Sequence, residues 1–187
     1  MRTLIIIPRM YSEIELGAIL GTIPDDFEDK SKRYWKYVDE KLSKFTSKIS
    51  KVYYGSLSKG GEEGLKFLKA GNQPGYEQVR MLVDAGAELL ATEDPVLVEE
   101  TMSWLRMVED EPKGPIQQMI KKNMSERNRY VARRINETLL DGEVGVIFLE
   151  PYRNLKLSPD IRVIRICPFS PEDYVKLWQA KLKSAKE

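Results

Sequence analysis

Charged and aromatic side chains follow directly after several short apolar segments of this sequence. A charge at the end of a buried segment must meet water, an opposite charge or a ligand, because burying it alone is strongly disfavoured. Carboxylates there could act as general acids or bases, and guanidinium groups could bind phosphate or carboxylate. The side chains concerned are Arg9 and Tyr11, Tyr54 and Ser56, Glu93, and Glu150, Tyr152 and Arg153.

A further charged group belongs to a helix predicted over residues 125–140. Ser125 is a residue type that caps helices, and Gly142 follows the last turn. Arg127 and Asn128 then border the inward face close to the start of the helix. A cation at the positive end of a helix is unfavourable unless an anion lies beside it. We therefore expect Arg127 to meet either Glu150 or a bound phosphate or carboxylate.

The chain of 187 residues has no histidine, which excludes several kinds of site. Ser-His-Asp and Cys-His catalysis, histidine-bound zinc and axial histidine ligation of haem all need an imidazole. Cys167 is the only cysteine, so the chain cannot form an internal disulfide, and this suits a reducing cytoplasm. We expect no metal and no cofactor, and purified protein should contain neither stoichiometric zinc nor haem.

Charged residues are abundant but balanced, with 30 basic and 29 acidic side chains. This balance excludes a globally basic nucleic-acid-binding protein, and no apolar stretch is long enough to cross a bilayer. We therefore predict a cytoplasmic protein with no nucleic-acid or membrane partner. Residues 88–111 are mainly acidic and residues 113–134 mainly basic. They are interpreted as two solvated helical faces that attract each other, with an anion site on the basic segment as the alternative. Many lysines and glutamates without histidine are also typical of thermophile surfaces.

The elements that position these side chains alternate between strands and helices. Strands are predicted over residues 2–8, 51–54, 87–91, 144–149 and 161–166. Helices are predicted over residues 25–48, 74–85, 95–108 and 125–140 and from residue 171 onward, with a short helix at 116–122. The glycine-rich residues 55–64 are predicted to form a turn, and residues 111–115 a loop between helices. Alternation of this kind predicts a single three-layer α/β domain, residues 1–187, with a largely parallel sheet of about five strands and helices on both faces. Ligands of such sheets bind beyond the carboxyl ends of the strands.

Three stretches of the chain resemble the TraB/PrgY/Tiki and ChaN-like superfamily. They are residues 5–13, with Ser12-Glu13 after a strand, residues 75–101, and residues 125–150, which begin with Ser125-Glu126-Arg127-Asn128. The resemblance covers less than half of the chain. The superfamily includes proteins described as metalloproteases and as haem-binding proteins. Its two histidines fall near Met10 and Tyr152, so the resemblance implies a member that cannot bind zinc or haem through them.

Three hypotheses about function remain open on this basis. The first is a polar cleft that binds a small anionic ligand, formed by Arg9, Tyr11, Glu93, Arg127, Asn128, Tyr152 and Arg153. The second is a hydrolase-like enzyme that uses Glu126 and Glu150 with or without a hard metal ion. The third is a non-catalytic interaction protein, such as a homodimer. Convergence of Arg9, Arg127 and Arg153 would favour the first hypothesis, whereas a carboxylate shifted toward neutrality would favour the second.

Overall fold

The chain folds around a five-stranded sheet in which every pair of neighbouring strands is parallel. The structure is a computed structural model and describes residues 1–71, 73–106 and 114–184. Its strands are β1 (Arg2–Pro8), β2 (Ile49–Tyr54), β3 (Glu88–Leu89), β4 (Val144–Leu149) and β5 (Ile161–Arg165), and their order across the sheet is β3-β2-β4-β1-β5. The predicted three-layer α/β fold with a largely parallel sheet is confirmed.

Helices cover both faces of this sheet. They are α1 (Glu13–Leu20), α2 (Phe27–Leu42), α3 (Gly61–Gly71), α4 (Gln73–Asp84), α5 (Pro95–Arg106), α6 (Pro115–Thr138) and α7 (Pro171–Ser184). Within the described ranges, no helix is both long enough and apolar enough to cross a membrane.

The central strands are buried on both sides, which explains why their sequences are continuously apolar. One face of β1, including Ile5 and Ile7, packs in a core with aliphatic and aromatic side chains of α2. The opposite face, including Leu4 and Ile6, packs in a second core with Val131 and other apolar side chains of α6. The sheet therefore lies between two helical layers, and its carboxyl edge is held by both of them.

The connections that leave β1 and β4 run to opposite faces of the sheet. After β1 the chain forms α1 and α2, whose apolar residues belong to the first core. After β4 the loop of residues 150–160 carries Leu155 and Leu157 onto the second core. Because β1 and β4 are neighbours, their carboxyl ends form a topological switch point, where ligands of open α/β sheets bind.

The prediction that a helix begins at Ser125 is wrong. Helix α6 begins at Pro115, with Gly114 before it at φ 59°, and runs for 24 residues to Thr138. No proline or glycine interrupts residues 116–124, so the predicted short helix is the first part of α6. Arg127 therefore lies in the interior of a helix, and the proposed effect of the helix dipole on it does not apply. Residues 111–113 of the predicted break lie outside the described residues.

Other boundaries differ because local sequence does not show tertiary packing. The first residues of α3 were predicted as part of a glycine-rich turn and the rest of this helix was not predicted, yet Leu65 and Leu68 are buried at helical spacing. Helix α1 was not predicted, although its Ser12–Glu15 capping box marks its start. Strand β3 is only two residues long, because this edge strand pairs with β2 alone. The helix predicted to run to residue 48 ends at Leu42, and a 3-10 turn, Thr46–Lys48, follows it.

Candidate functional site

A buried cluster of ion pairs lies at the carboxyl edge of the sheet, with Glu93 at its centre. The Glu93 side chain is fully buried. Arg127 of α6 donates two hydrogen bonds to its carboxylate, from Nε (2.9 Å) and from Nη2 (3.0 Å). Arg153 donates to the same carboxylate through Nη1. Two guanidinium groups from distant parts of the chain thus share one carboxylate, an arrangement that fixes α6 and the loop after β4 against the end of β3.

The expected Arg127–Glu150 ion pair is replaced by an indirect link through Ser56. Arg127 Nη2 donates to the Ser56 hydroxyl (3.1 Å), which in turn donates to Glu150 Oε1 (2.6 Å). Both charged residues lie at the carboxyl edge, as predicted, but the ionic partner of Arg127 is Glu93. Sequence position could not show this, because Arg127 and Glu93 meet only when α6 packs against the end of β3.

The turn after β2 is shaped to bring Glu150 close to the backbone. A Cβ atom at Gly55 would overlap the Glu150 carboxylate, so any larger residue there would force Glu150 out of its hydrogen bonds. Ser56 follows with φ 65°, the only non-glycine residue of the described chain in the left-handed region. This conformation costs of the order of 1–3 kcal/mol and is found preferentially at functional sites. In this position the Ser56 amide donates to Glu93 Oε1 (3.1 Å) while its hydroxyl reaches Glu150.

Arg153 is completely buried and is held by side chains from three directions. Its Nε donates to Asn128 Oδ1 (2.8 Å), and its Nη1 donates to Glu93 and to Glu150 Oε2 (3.2 Å). Its Nη2 is buried and has no hydrogen-bond partner among the described residues. Asn128 therefore positions Arg153, and one donor of the guanidinium is left unused.

Arg9 connects the cluster to the surface. Its Nη1 and Nη2 donate to the two oxygens of Glu15 (2.9 and 2.6 Å), and Nη2 lies 3.8 Å from Glu150 Oε1. Glu15 is fixed by the capping box of α1, since its carboxylate also accepts from the Ser12 amide (2.8 Å). Glu150 is buried, whereas the Glu15 side chain is 35% exposed. Arg9 thus interacts with one buried carboxylate, that of Glu150, and one partly exposed carboxylate, that of Glu15.

The charges of this cluster balance each other. Three arginines, Arg9, Arg127 and Arg153, face three glutamates, which are Glu15, Glu93 and Glu150. Burial opposes ionisation of Glu150, but Arg9 and then Arg153 outweigh it and hold the pKa of this carboxyl below its usual value. For Glu15, burial is likewise outweighed by the hydrogen bonds from Arg9, and its pKa is lowered. Both carboxylates are therefore ionised at neutral pH.

A cavity of about 300 Å³, called here the Arg9 pocket, opens beside the cluster. Its lining combines the less exposed Arg9, Tyr54 and Ser56, called here its floor, with the exposed Ile14 and Phe67, called here its walls. Arg9 Nε and the Tyr54 hydroxyl are buried and have no hydrogen-bond partner among the described residues. Burial raises the pKa of Tyr54, so its phenol stays protonated and can donate. Unused buried donors are uncommon in folded proteins and call for an explanation such as a ligand.

The structure brings together most of the predicted site residues, but Tyr11 and Glu126 have other surroundings. Tyr11 is 8% exposed and lies beside Phe27 and Trp35 in a different cavity, where burial raises its pKa to about 12. Tyr152 is 54% exposed but borders the cluster, where partial burial and the nearby Glu150 carboxylate raise its pKa. Glu126 lines a cleft with Asp94 and lies 3.8 Å from Arg129, so its neighbours are not those of Glu150.

Sequence analysis missed several residues that build the cluster. Glu15 was recoverable, because Ser12 and Glu15 have the spacing of a capping box. Thr101 and Asn123 gave no such signal. Both are buried, the Thr101 hydroxyl donates to Asn123 Oδ1 (2.6 Å), and Arg127 Nη1 donates to Thr101 (3.3 Å). This pair joins α5 to α6 next to the cluster.

The chain has no match in any of three comparisons. Protein-family models, curated proteins and solved structures were each compared with it, and none is similar. Among the described residues, no group of three or more cysteine, aspartate or glutamate side chains is arranged to hold a metal ion. The geometry of the cluster is therefore the basis for assigning a function.

Proposed function

We propose that this protein binds a small anionic ligand at the carboxyl edge of the sheet, with Arg9 as the principal contact. The observation that carries the proposal is that Arg9 and Tyr54, two residues that line the Arg9 pocket, each keep a buried donor with no hydrogen-bond partner among the described residues. The location agrees with this, since the pocket lies at the switch point between β1 and β4.

Access to Arg9 requires movement of one side chain, and Glu15 is suited to that role. Its carboxylate accepts hydrogen bonds from Nη1 and Nη2 of Arg9, as a ligand carboxylate could. Glu15 is also the more exposed residue of the pair. The Arg9–Glu15 pair is bidentate and only partly exposed, so turning Glu15 toward solvent has a cost, which the equivalent hydrogen bonds from a ligand carboxylate to the same guanidinium must offset. A ligand anion then takes its place on the guanidinium.

The hydrolase alternative is less well supported. A general acid needs a carboxyl whose pKa is raised toward neutrality, whereas the pKa values of Glu150 and Glu15 are lowered. Glu126, the second candidate, has different neighbours from Glu150. The carboxylates of the cluster are neutralised by arginines, which is an arrangement for holding guanidinium groups in place.

A homodimeric interaction protein remains the second candidate, for one specific reason. Helices α5 and α6 pack against each other and carry large exposed apolar side chains, Val96 and Met102 on α5 and Met119 on α6. Light scattering during size-exclusion chromatography measures the mass in solution. A mass of 21.6 kDa, that of one chain, would exclude a stable dimer, and twice this mass would support one.

The relationship to the TraB and ChaN-like proteins and the cytoplasmic location are retained as parts of this proposal. The first family histidine falls near Met10, which is 1% exposed and packed in the core. The balanced charge and the single cysteine support the cytoplasmic assignment.

Isothermal titration with acetate and with inorganic phosphate tests the proposal. We expect saturable binding of at least one of them with a Kd of about 1 mM or tighter, equivalent to about 4 kcal/mol. The Arg9→Gln variant should lose this binding. Arg162→Gln, which removes an exposed arginine of β5, should keep it. Equal binding by wild type and Arg9→Gln, or no binding of either anion by wild type, would contradict the proposal.

A further inference from the structure

The Arg9 pocket differs from an ordinary anion site in having apolar walls. Ile14 of α1 and Phe67 of α3 are 82% and 62% exposed, and the buried Leu68 lies beside them. The polar groups of the lining belong to Arg9, Ser12, Glu15, Tyr54 and Ser56. A volume of about 300 Å³ is at the lower limit for small-molecule pockets, so it suits a ligand of few atoms.

The residues of the floor can supply the donors for one carboxylate, because displacement of Glu15 also frees Nη1 and Nη2 of Arg9. Arg9 Nε and the Tyr54 hydroxyl are the two unused donors, and both belong to residues of this floor. The charge of Arg9 is already offset by Glu15 and by Glu150. When Glu15 turns away, Arg9 loses one of its two negatively charged partners. A ligand with a single negative charge then restores the balance. A dianion such as hydrogen phosphate would add an uncompensated charge.

The walls provide the second half of a recognition surface. Ile14 belongs to α1 and Phe67 to α3, and both line the pocket with exposed side chains, which a hydrocarbon group in the pocket would cover. Removal of apolar surface from water is favourable in proportion to its area. A ligand that carries only a carboxylate would leave both side chains exposed.

We infer that the ligand is a small monocarboxylate with an apolar substituent, whose carboxylate binds Arg9 and Tyr54 and whose substituent lies between Ile14 and Phe67. This inference rests on the proposed function and specifies the class of ligand.

A homologous series of carboxylates provides the test. Acetate, butyrate, hexanoate and octanoate are titrated in turn by calorimetry, with inorganic phosphate as the anion that lacks an apolar part. Each methylene that enters the pocket should lower the Kd about fourfold, the equivalent of about 0.8 kcal/mol, until the pocket is full. Hexanoate should therefore bind much more tightly than acetate or phosphate.

Two variants assign this gain to the pocket. Phe67→Ser should flatten the dependence of the Kd on chain length and leave acetate binding unchanged. Leu177→Ser, which alters a comparably exposed side chain of α7, should leave the whole series unchanged. Both positions are exposed, so the variants should fold, and a melting curve for each verifies this.

The outcomes separate the inference from the proposed function. If acetate or phosphate binds in an Arg9-dependent way but longer chains bind no better, the inference is wrong and the proposed function stands. Tighter binding of phosphate than of hexanoate also overturns the inference alone. A gain with chain length that persists in both Arg9→Gln and Phe67→Ser places the longer acids elsewhere on the protein and overturns it too. If none of these anions binds, both are wrong.

Discussion

Single residues of the cluster combine two tasks, and Glu15 is the clearest example. The same carboxylate completes the capping box of α1 and neutralises Arg9. The first task could be inferred from the spacing of Ser12 and Glu15. The second could not, because it depends on the path of the chain between β1 and α1. Likewise, Arg9 and Glu150 were predictable as polar side chains at strand ends, whereas their partners were not.

Replacing Glu15 by glutamine separates these tasks. Glutamine can still complete a capping box, so α1 should persist, but the competing negative charge on Arg9 is removed. The Glu15→Gln variant should therefore bind acetate several-fold more tightly than wild type does in the same titration. Unchanged or weaker binding would show that Glu15 is not displaced by the anion.

Gly55 is the residue where a single added carbon should disturb the cluster directly. In Gly55→Ala the new Cβ overlaps the Glu150 carboxylate, and such overpacking costs about 1–3 kcal/mol. The matched control is Gly17→Ala, because nothing lies within 4 Å of a Cβ there and alanine favours a helix. Urea denaturation should show a lower free energy of unfolding for Gly55→Ala and no loss for Gly17→Ala. Equal stabilities would contradict the described packing of Glu150.

At the scale of elements, apolar runs with clear boundaries were predicted well and helix junctions were not. The predicted limits of β1 and β4 match the structure, because each strand is buried on both faces and ends at a proline or a charge. Helix α6 was divided at Ser125, a residue type common at caps, although the preceding turns of helix pack on α5. Local propensity does not report such packing.

The junction of α5 and α6 depends on Asn123. Its side-chain amide donates to the Leu97 carbonyl (3.1 Å) and to Glu100 (2.9 Å), and its carbonyl accepts from Thr101. In Asn123→Ala these buried groups lose their partner, at a cost of about 1–3 kcal/mol. Asn136→Ala on the same helix is the control, since Asn136 Oδ1 has no partner to lose among the described residues. Thermal melts should show a lower Tm for the first variant only; equal Tm values would contradict this role of Asn123.

For the whole molecule, the cluster links the carboxyl ends of four strands with both helical layers. Its residues come from the ends of β1, β2, β3 and β4 and from α1 and α6. The sequence indicated which strand ends would carry charge. The pairing among them depends on the strand order β3-β2-β4-β1-β5, which the sequence does not encode locally.

The stability of the protein should depend on pH through the carboxylates of this cluster. The folded-state pKa values of Glu150 and Glu15 lie below the ordinary value of 4.5, so their contribution is complete above that pH. It is lost as the pH falls through the lowered values, because the folded protein must then take up protons against the arginines. Urea denaturation of wild type should show the free energy of unfolding falling from about pH 4.5 downward.

The variant Glu150→Gln identifies the residue responsible. It should be less stable than wild type at pH 7 by about 3 kcal/mol, because two buried arginines lose a charged partner. The difference between the two proteins should shrink below pH 4.5. A constant difference at all pH values would show that ionisation of Glu150 does not stabilise the fold.

The side-chain NMR signal of Arg9 tests the central claim most directly. Arg9 Nε has no partner among the described residues, whereas Arg2 Nε already donates to Asp160 (2.8 Å) and serves as an internal control. During titration with hexanoate, the Nε–Hε signal of Arg9 should shift and saturate while that of Arg2 stays in place. An unchanged Arg9 signal, or an equal and unsaturable shift of both, would contradict anion binding at this site.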